Sequence, residues 1–289
     1  MDVRIYNTNT DRIVIETVTL DSSGDYEEDG NFIISGVKTP GSEVKCRFVK
    51  PFGSMTGKLF PSADQQQQTL WVQPLMPGRE PFDVRVTLID SANPFVLIDT
   101  TSISATLLGT NPSDSDRNDL VESIRRAGAV AMGLATDVEA AGRTRGTPKA
   151  ALVFPPTITQ AGGSIKARPD IRIQAYSMGL PHPSLQLTGA VTIAVALSYP
   201  GTIVAGLSAM GSIMHGTLPP TPAQSPPPDY QKEEHSGLGR DVLIEHSQGT
   251  IKVDVEMANG GEVASCAVSR TARRLFEGKV RYYIQEDEL

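Results

Sequence analysis

Apolar and polar residues alternate with a period of two along most of this chain, which is the pattern of half-buried β-strands. Gly and Pro separate the alternating stretches, and the 289 residues include 26 Gly and 21 Pro. The pattern therefore predicts a mainly β scaffold of short strands joined by turns. The alternating stretches are VRIYNTNT (3–10), RIVIETVTL (12–20), EVKCRFVKP (43–51), PFDVRVTLIDSANPFVLIDTTSI (81–103), AALVFPP (150–156), SIKARPDIRIQAYSMG (164–179) and DVLIEHSQGTIKVDVEM (241–257).

Helical periodicity appears in only two places. In LVESIRRAGAVAMGLA (120–135), apolar residues recur at intervals of three and four, which predicts an amphipathic helix. The second is an almost unbroken apolar run, 191–197, which Tyr199-Pro200-Gly201 ends. A helix that is apolar on every side is buried, so this segment is predicted as the central helix of a domain, starting at Thr188.

The amino end of that buried helix is a candidate site for an anion. Free backbone N–H groups and a partial positive charge are expected there. The preceding loop supplies His182 and Ser184, and the helix itself opens with Thr188, Gly189 and Ala190. The alternative is an ordinary core helix with a Thr cap and no ligand.

Charge and composition exclude several classes of function. The formal net charge is −7, without a basic cluster, so a nucleic-acid partner is not expected. No signal sequence or membrane-length apolar run is present, which predicts a cytoplasmic protein without membrane contact. The two cysteines, Cys46 and Cys266, are expected to be free thiols, and the four scattered histidines predict no metal site.

Several polar residues at turns are candidates for chemistry. The loop at 52–58 contains Gly53, Ser54, Thr56, Gly57 and Lys58, and its lysine is either a solvated side chain or a cation that faces an anion. Asn93, placed before a proline, either satisfies its own backbone or faces a ligand. His182 and His246 each lie beside a turn where an imidazole either binds a carboxylate, moves a proton or is merely structural.

Nine stretches together resemble the 2-methylaconitate cis-trans isomerase (PrpF) family. Their order and spacing cover nearly the whole chain. The stretches are VRIYNTNT (3–10), GSMTGKLFP (53–61), DSANPFVLID (90–99), AMGLA (131–135), PKAALVFPP (148–156), SMGLPHPSLQLTGAVTIAVA (177–196), PGTIV (200–204), IEHSQGTIKV (244–253) and VSRTARRLFEGKV (268–280).

The resemblance implies an α+β fold of two domains, shared with diaminopimelate epimerase and proline racemase. Each domain there is a β-barrel-like sheet around a central helix, and the active site lies between the domains. We expect residues 1–100 with a closing strand at 275–289 to form the remainder of a truncated first domain. Residues 101–274 are expected to form the second domain, with its central helix near 188–199.

The resemblance also implies an isomerase that needs no metal or organic cofactor. Such an enzyme shifts a proton and a double bond in an unsaturated di- or tricarboxylic acid, so the partner is a small acidic substrate. His182 and Lys58 are the catalytic candidates. The predicted substrate-binding residues are Gly53, Ser54, Thr56, Gly57, Asn93, Ser177, Met178, Ser184, Thr188, Gly189, Ala190, His246 and Ser247.

The sequence departs from the family pattern in two respects. The turn HSQG (246–249) replaces a more usual His-Pro-Ser-Gly. The Met-Arg-Gly-Gly-Thr-Ser-Lys-Gly-like motif and the later Cys expected to move the proton are absent, and Cys46 and Cys266 do not replace them. Two alternatives stay open: a shortened binding or partner protein without catalysis, and a repurposed natural-product isomerase or cyclase. A first domain without its own helix would expose an apolar sheet, which predicts a homodimer through that face.

Overall fold

The computed structural model describes residues 1–62, 65–109, 115–156, 169–213 and 239–279, with 209–213 described by their backbone alone. The strands are β1 (Asp2–Asn7), β2 (Arg12–Val18), β3 (Glu43–Val49), β4 (Gln68–Val72), β5 (Phe82–Ser91), β6 (Asn93–Asp99), β7 (Lys149–Phe154), β8 (Ile171–Ser177), β9 (Leu180–Pro181), β10 (Gly239–His246), β11 (Gly249–Met257) and β12 (Val263–Thr271). The helices are α1 (Ala105–Leu108), α2 (Ser115–Ala131), α3 (Val138–Arg143), α4 (Leu187–Ser198) and α5 (Ile203–Ile213). The predicted mainly β scaffold is confirmed.

All the strands belong to one sheet that curves around α4. Its order is β1-β2-β3-β12-β11-β10-β8-β7-β6-β5-β4, and β9 pairs with β8. Neighbouring strands are antiparallel except for the pairs β6–β7 and β8–β10. The sheet therefore joins strands from both ends of the described chain into one hydrogen-bonded unit.

Helix α4 forms the centre of the larger hydrophobic core. Ile193, Ala194 and Val195 are fully buried, as expected for a helix that is apolar on every side. The inner faces of β5, β6, β10, β11 and β12 pack around it. Burial of one Ile or Val side chain of this kind contributes roughly 1.5–3 kcal/mol. The helix ends at Tyr199, and Gly201 follows with a φ of +95°.

Helix α2 covers the outer face of the sheet and forms a second core. Leu120 and Ile124 pack against β4–β7, which confirms the helix predicted at 120–135. Gly128 allows the close approach, since a Cβ there would lie 2.4 Å from Val96 Cγ2. Strands β5 and β6 also pack on α4, so they contribute side chains to both cores.

Helix α5 is not among the helices predicted from the sequence. Its Val204 and Leu207 pack in the core around α4. The closing strand predicted at 275–289 is absent from residues 275–279, and the rest of it lies outside the described residues. None of the helices in the described parts of the chain is long and apolar enough to cross a membrane.

Candidate functional site

The amino end of α4 carries backbone donors without acceptors. Gln186, rather than the predicted Thr188, is the N-cap, and its side chain makes no capping hydrogen bond. The first amide of the helix with an acceptor is that of Ala190, which donates to Gln186 O at 2.9 Å. The N–H groups of Leu187, Thr188 and Gly189 have no acceptor among the described residues. Three such amides at a positive helix end form a site for a carboxylate.

Two polar side chains beside this helix end are buried without partners. Both amide atoms of Gln186 and the hydroxyl of Ser91 have no hydrogen bond within the described chain. Ser91 is fully buried, and its carbonyl accepts from Thr192, one turn into the helix. Buried polar atoms left unpaired cost about 1–3 kcal/mol each, so a water molecule or a polar ligand that pairs with them would be stabilised at this position.

Lys149 places a cation at the same end of the sheet. It alternates along β7 with Ala151 and Val153 of the core around α4, and it pairs in register with Phe95. It also lines a small pocket beside Glu122 and Arg125 of α2. Phe95 Cζ lies 3.1 Å from the position that a Cβ on Gly189 would take. The Lys149 ammonium lies 3.4 Å from Ser177 Oγ, and none of the described carboxylates forms an ion pair with it. Burial lowers the pKa of Lys149.

Lys149 is not among the site residues predicted from the sequence. The pattern that could have indicated it is a lysine at the start of an otherwise apolar strand, KAALVF. A charged residue at the start of a buried strand lies at the rim of the sheet, where a ligand can reach it. That signal does not reveal that the strand begins beside the amino end of α4.

A buried ion pair fixes the chain that leads into Lys149. Arg125 and Glu122 of α2 are 4% and 8% exposed, and Arg125 Nε lies 2.6 Å from Glu122 Oε2. The same guanidinium donates to Ala141 O within α3 and to three carbonyls of the loop after α3, those of Thr144, Thr147 and Pro148. Burial alone would raise the pKa of Glu122, but hydrogen bonds from Arg125 and Arg126 outweigh it and lower that pKa. Arg125 thus connects α2 to the residue that precedes Lys149.

Two histidines adopt the same turn on either side of the entrance to α4. Nδ1 of His182 accepts from Ser184 N–H at 3.1 Å, and Nδ1 of His246 accepts from Gln248 N–H at 3.2 Å. The Ser247 hydroxyl donates to Pro183 O at 2.6 Å and joins the two turns. With Nδ1 occupied, a neutral imidazole carries its proton on Nε2. Both histidines therefore present a hydrogen-bond donor rather than a base.

Stability is expected to fall as the pH drops through the titration range of His246. Burial, followed by the charges of Arg270 and His182, lowers the pKa of His246 below its ordinary value of 6.5. Below pH 6.5 the unfolded chain therefore binds a proton at His246 more readily than the folded chain does. The contribution of the neutral ring to the free energy of unfolding is complete above pH 6.5 and is lost as the pH falls through the pKa of His246 in the folded chain. Urea unfolding at pH 7.5 and 5.5 measures the loss. His246→Asn keeps an acceptor for Gln248 N–H but does not titrate, so it should lose less free energy of unfolding between these two pH values. If the variant and the unmodified chain lose the same amount, His246 is not the group responsible.

The loop at 53–59 encloses a buried carboxylate. Asp90 accepts from the Ser54 hydroxyl, from Met55 N–H at 2.8 Å and from Thr56 N–H at 2.7 Å. Gly53 has a φ of +61°, and a Cβ there would lie 2.5 Å from the backbone of Gly57. The hydroxyls of Ser54 and Thr56, predicted to bind substrate, are therefore bonded to Asp90.

The other predicted residues differ in what they offer a ligand. Lys58 is exposed, and no ion pair of it is found in the described chain. Asn93 is half-buried and alternates along β6 with Phe95, whose ring contacts Gly189. Met178 forms an exposed turn with φ +55°. Ala190 is fully buried with its amide already bonded. The structure brings together at the amino end of α4 the residues His182, Ser184, Thr188, Gly189, His246 and Ser247, and it places Ser177 beside Lys149.

Curated proteins similar to this chain are isomerases or are named as putative isomerases. A 2-methyl-aconitate isomerase of Shewanella oneidensis is 30% identical over 96% of this chain and 65% of its own length. The putative isomerase YraM of Bacillus subtilis is also 30% identical, with the same coverage. A 3-methylitaconate isomerase of Eubacterium barkeri is 26% identical over 99% of this chain and 68% of its own length. The chain thus spans about 65% of the length of the first two relatives.

A solved structure has the same fold. The crystal structure of a methylitaconate-delta-isomerase superposes with a TM-score of 0.66 at 24% identity, over 97% of this chain and 65% of that one. This likeness confirms the expected α+β fold. The family model described as PrpF protein matches residues 1–217, which is most of the chain. The chain belongs to the PrpF family.

Proposed function

We propose that this chain binds an unsaturated di- or tricarboxylic acid at the amino end of α4 and takes part in its isomerisation. The observation that carries the proposal is the set of free amides at Leu187, Thr188 and Gly189. Lys149 of β7 lies in register with Phe95, whose ring contacts Gly189. Aligned amides and a nearby cation stabilise negative oxygen atoms. The names of the relatives, 2-methyl-aconitate isomerase and 3-methylitaconate isomerase, support the same substrate class.

The proposed reaction moves one proton and one double bond. A base removes a proton from a carbon next to the double bond, and the electron pair spreads into a dienolate whose charge rests on a carboxylate oxygen. A proton then returns to another carbon or, after rotation, to the same one. No atom is gained and no oxidant is needed. Stabilising the dienolate is the main requirement, and α4 with Lys149 would supply it.

His182 and Lys58 are retained as the proposed proton-transfer groups. His182 would act as a donor, because Ser184 N–H occupies its Nδ1 and leaves the proton on Nε2. Lys58 lies on an exposed loop whose shape is fixed by Asp90. Gly53, Ser54, Thr56 and Gly57 would then act by shaping this loop. A cytoplasmic location and a homodimer remain proposals.

A second candidate is a binding protein of the same fold without turnover. The observation that favours it is that Nδ1 of His182 and of His246 each accepts a backbone N–H, so neither ring presents a free basic nitrogen. Proton NMR of unsaturated acids in deuterium oxide separates the two candidates. Exchange or isomerisation supports the enzyme, and binding without either supports the alternative.

Removing the charge of Lys149 should weaken binding of trans-aconitate. Lys149→Met eliminates a half-buried cation that no described carboxylate neutralises, so Kd is expected to rise roughly tenfold or more. Calorimetric titration measures the change. Lys38→Met, which alters an exposed lysine outside the site, serves as control and should leave Kd unchanged. The proposal fails if trans-aconitate does not bind, or if both variants bind it as tightly as the unmodified chain.

A further inference from the structure

A cavity of about 830 Å³ lies beside the hairpin of β10 and β11. One wall is residues 32–37, here named the strap, and the opposite wall comes from β3, β10, β11 and β12. Pockets for small organic ligands have volumes of about 300–1,000 Å³. Of the groups assigned to the candidate functional site, only Ser184 and His246 reach this cavity, while Lys149 and the free amides of α4 do not.

The strap gives the cavity an apolar wall. Phe32, Ile33, Ile34 and Val37 line it, and Leu243 contributes from the sheet. Ile33 is 71% exposed and Val37 is 47% exposed. Adjacent apolar side chains left in water in this way favour contact with the apolar body of a ligand.

Arg270 supplies a cation without a carboxylate partner. Its guanidinium donates to Ser269 O at 3.0 Å, and in the described chain no carboxylate forms an ion pair with it. The two lysines of the cavity are neutralised, Lys45 by Asp254 at 2.5 Å and Lys252 by Asp241 at 3.1 Å. Arg270 is therefore the lining cation free to bind an added anion. A guanidinium binds a carboxylate through two parallel hydrogen bonds.

His246 adds a donor beside Arg270. Its pKa is lowered by burial and by the charges of Arg270 and His182, so the ring is neutral near pH 7. Since Nδ1 accepts from Gln248 N–H, Nε2 carries the proton.

A single side chain fixes the strap to the hairpin. The Ser35 hydroxyl donates to Thr250 O at 2.8 Å and accepts from Thr250 N–H at 3.2 Å. Gly249 allows this contact, because a Cβ there would lie 2.9 Å from Ser35 Cβ. The apolar wall is thus held at a set position across from Arg270.

We propose that this cavity binds a monocarboxylic acid with an extended apolar body. The carboxylate pairs with Arg270 and accepts from His246, and the body packs on Ile33, Ile34 and Val37. The site is distinct from the free amides of α4, and its occupant differs in class from a small polycarboxylate. This inference does not rest on the proposed function.

Octanoate is the probe. The control ligands are 1-octanol, which has the apolar chain without the carboxylate, and acetate, which has the carboxylate without the apolar chain. Calorimetry with the full chain should show binding of octanoate that is at least about tenfold tighter than that of either control ligand. Arg270→Met should weaken octanoate binding about tenfold or more, while Arg274→Met, which removes an exposed arginine paired with Glu277, should not.

Ile33→Ser provides a second variant that does not disturb the core, since Ile33 is largely exposed. It should weaken octanoate binding severalfold with an unchanged circular dichroism spectrum. Lys149→Met should leave octanoate binding intact, which separates this site from the one at α4. The proposal would be overturned if the unmodified chain does not bind octanoate. It would also be overturned if Arg270→Met and Ile33→Ser both bind octanoate as tightly as the unmodified chain.

Discussion

Replacing Arg125 with methionine is expected to lower the free energy of unfolding by roughly 3–5 kcal/mol. The substitution leaves the Glu122 carboxylate buried with only Arg126 as an ionic partner. It also removes the donor to four carbonyls, among them Ala141 O at 2.8 Å. Because a buried charge without its partner costs far more than an intact pair contributes, the loss should be among the largest for a single residue in this chain. Urea unfolding followed by circular dichroism measures it.

The matched control is Arg143→Met. Arg143 forms an ion pair with Glu139 on α3, four residues apart like Glu122 and Arg126 on α2. In contrast to Glu122 and Arg125, the side chains of Arg143 and Glu139 are both exposed. Exposed pairs of this kind contribute about 0.3–0.5 kcal/mol. If the two substitutions cost the same, Arg125 does not connect α2 to the loop in the way the structure indicates.

Replacing Asp90 with alanine is expected to cost roughly 2–4 kcal/mol and to release the loop at 53–59. Asp90 is fully buried and is the common acceptor for Ser54, Met55 and Thr56. Without it these donors have no acceptor until the loop moves into water. Trypsin should then cleave after Lys58 much faster than in the unmodified chain. Unfolding in urea gives the change in stability.

Asp83→Ala is the control on the same strand. Asp83 is exposed on β5, so its removal should change stability by less than about 0.5 kcal/mol. It should also leave cleavage after Lys58 unchanged. Slow cleavage in Asp90→Ala would show that the loop keeps its shape by other contacts.

The sequence predicted the elements whose pattern is local. Alternation located most of the strands, and the apolar run 191–197 located α4 to within a few residues. The sequence predicted that α4 starts at Thr188, whereas it starts at Leu187 with Gln186 as N-cap. Gln is not a typical N-cap residue, so the sequence does not mark this position. Helix α5 was missed because the proline-rich stretch that follows it, TLPPTPAQSPPP (217–228), is typical of a loop.

The candidate site was predicted only in part, since most of its contacts join residues distant in sequence. The helix end and the two histidine turns were found, because Ser, His and Gly cluster locally there. Lys149 and Arg270 were not, because nothing local indicates that β7 starts beside Phe95 or that Arg270 faces a cavity. Likewise, Ser54 and Thr56 resembled ligand-binding hydroxyls until the fold placed Asp90 between them.

Strands β5, β6 and β7 are covered on both faces, by α4 and α5 on one side and by α2 on the other. Val96 and Ile98 point to one core while Phe95 and Leu97 point to the other, so every residue along β6 from 94 to 99 is buried. Polar substitutions in these strands are therefore expected to be destabilising at consecutive positions instead of alternate ones. A change of packing in either core would also move the backbone of β7, so the position of Lys149 depends on both cores.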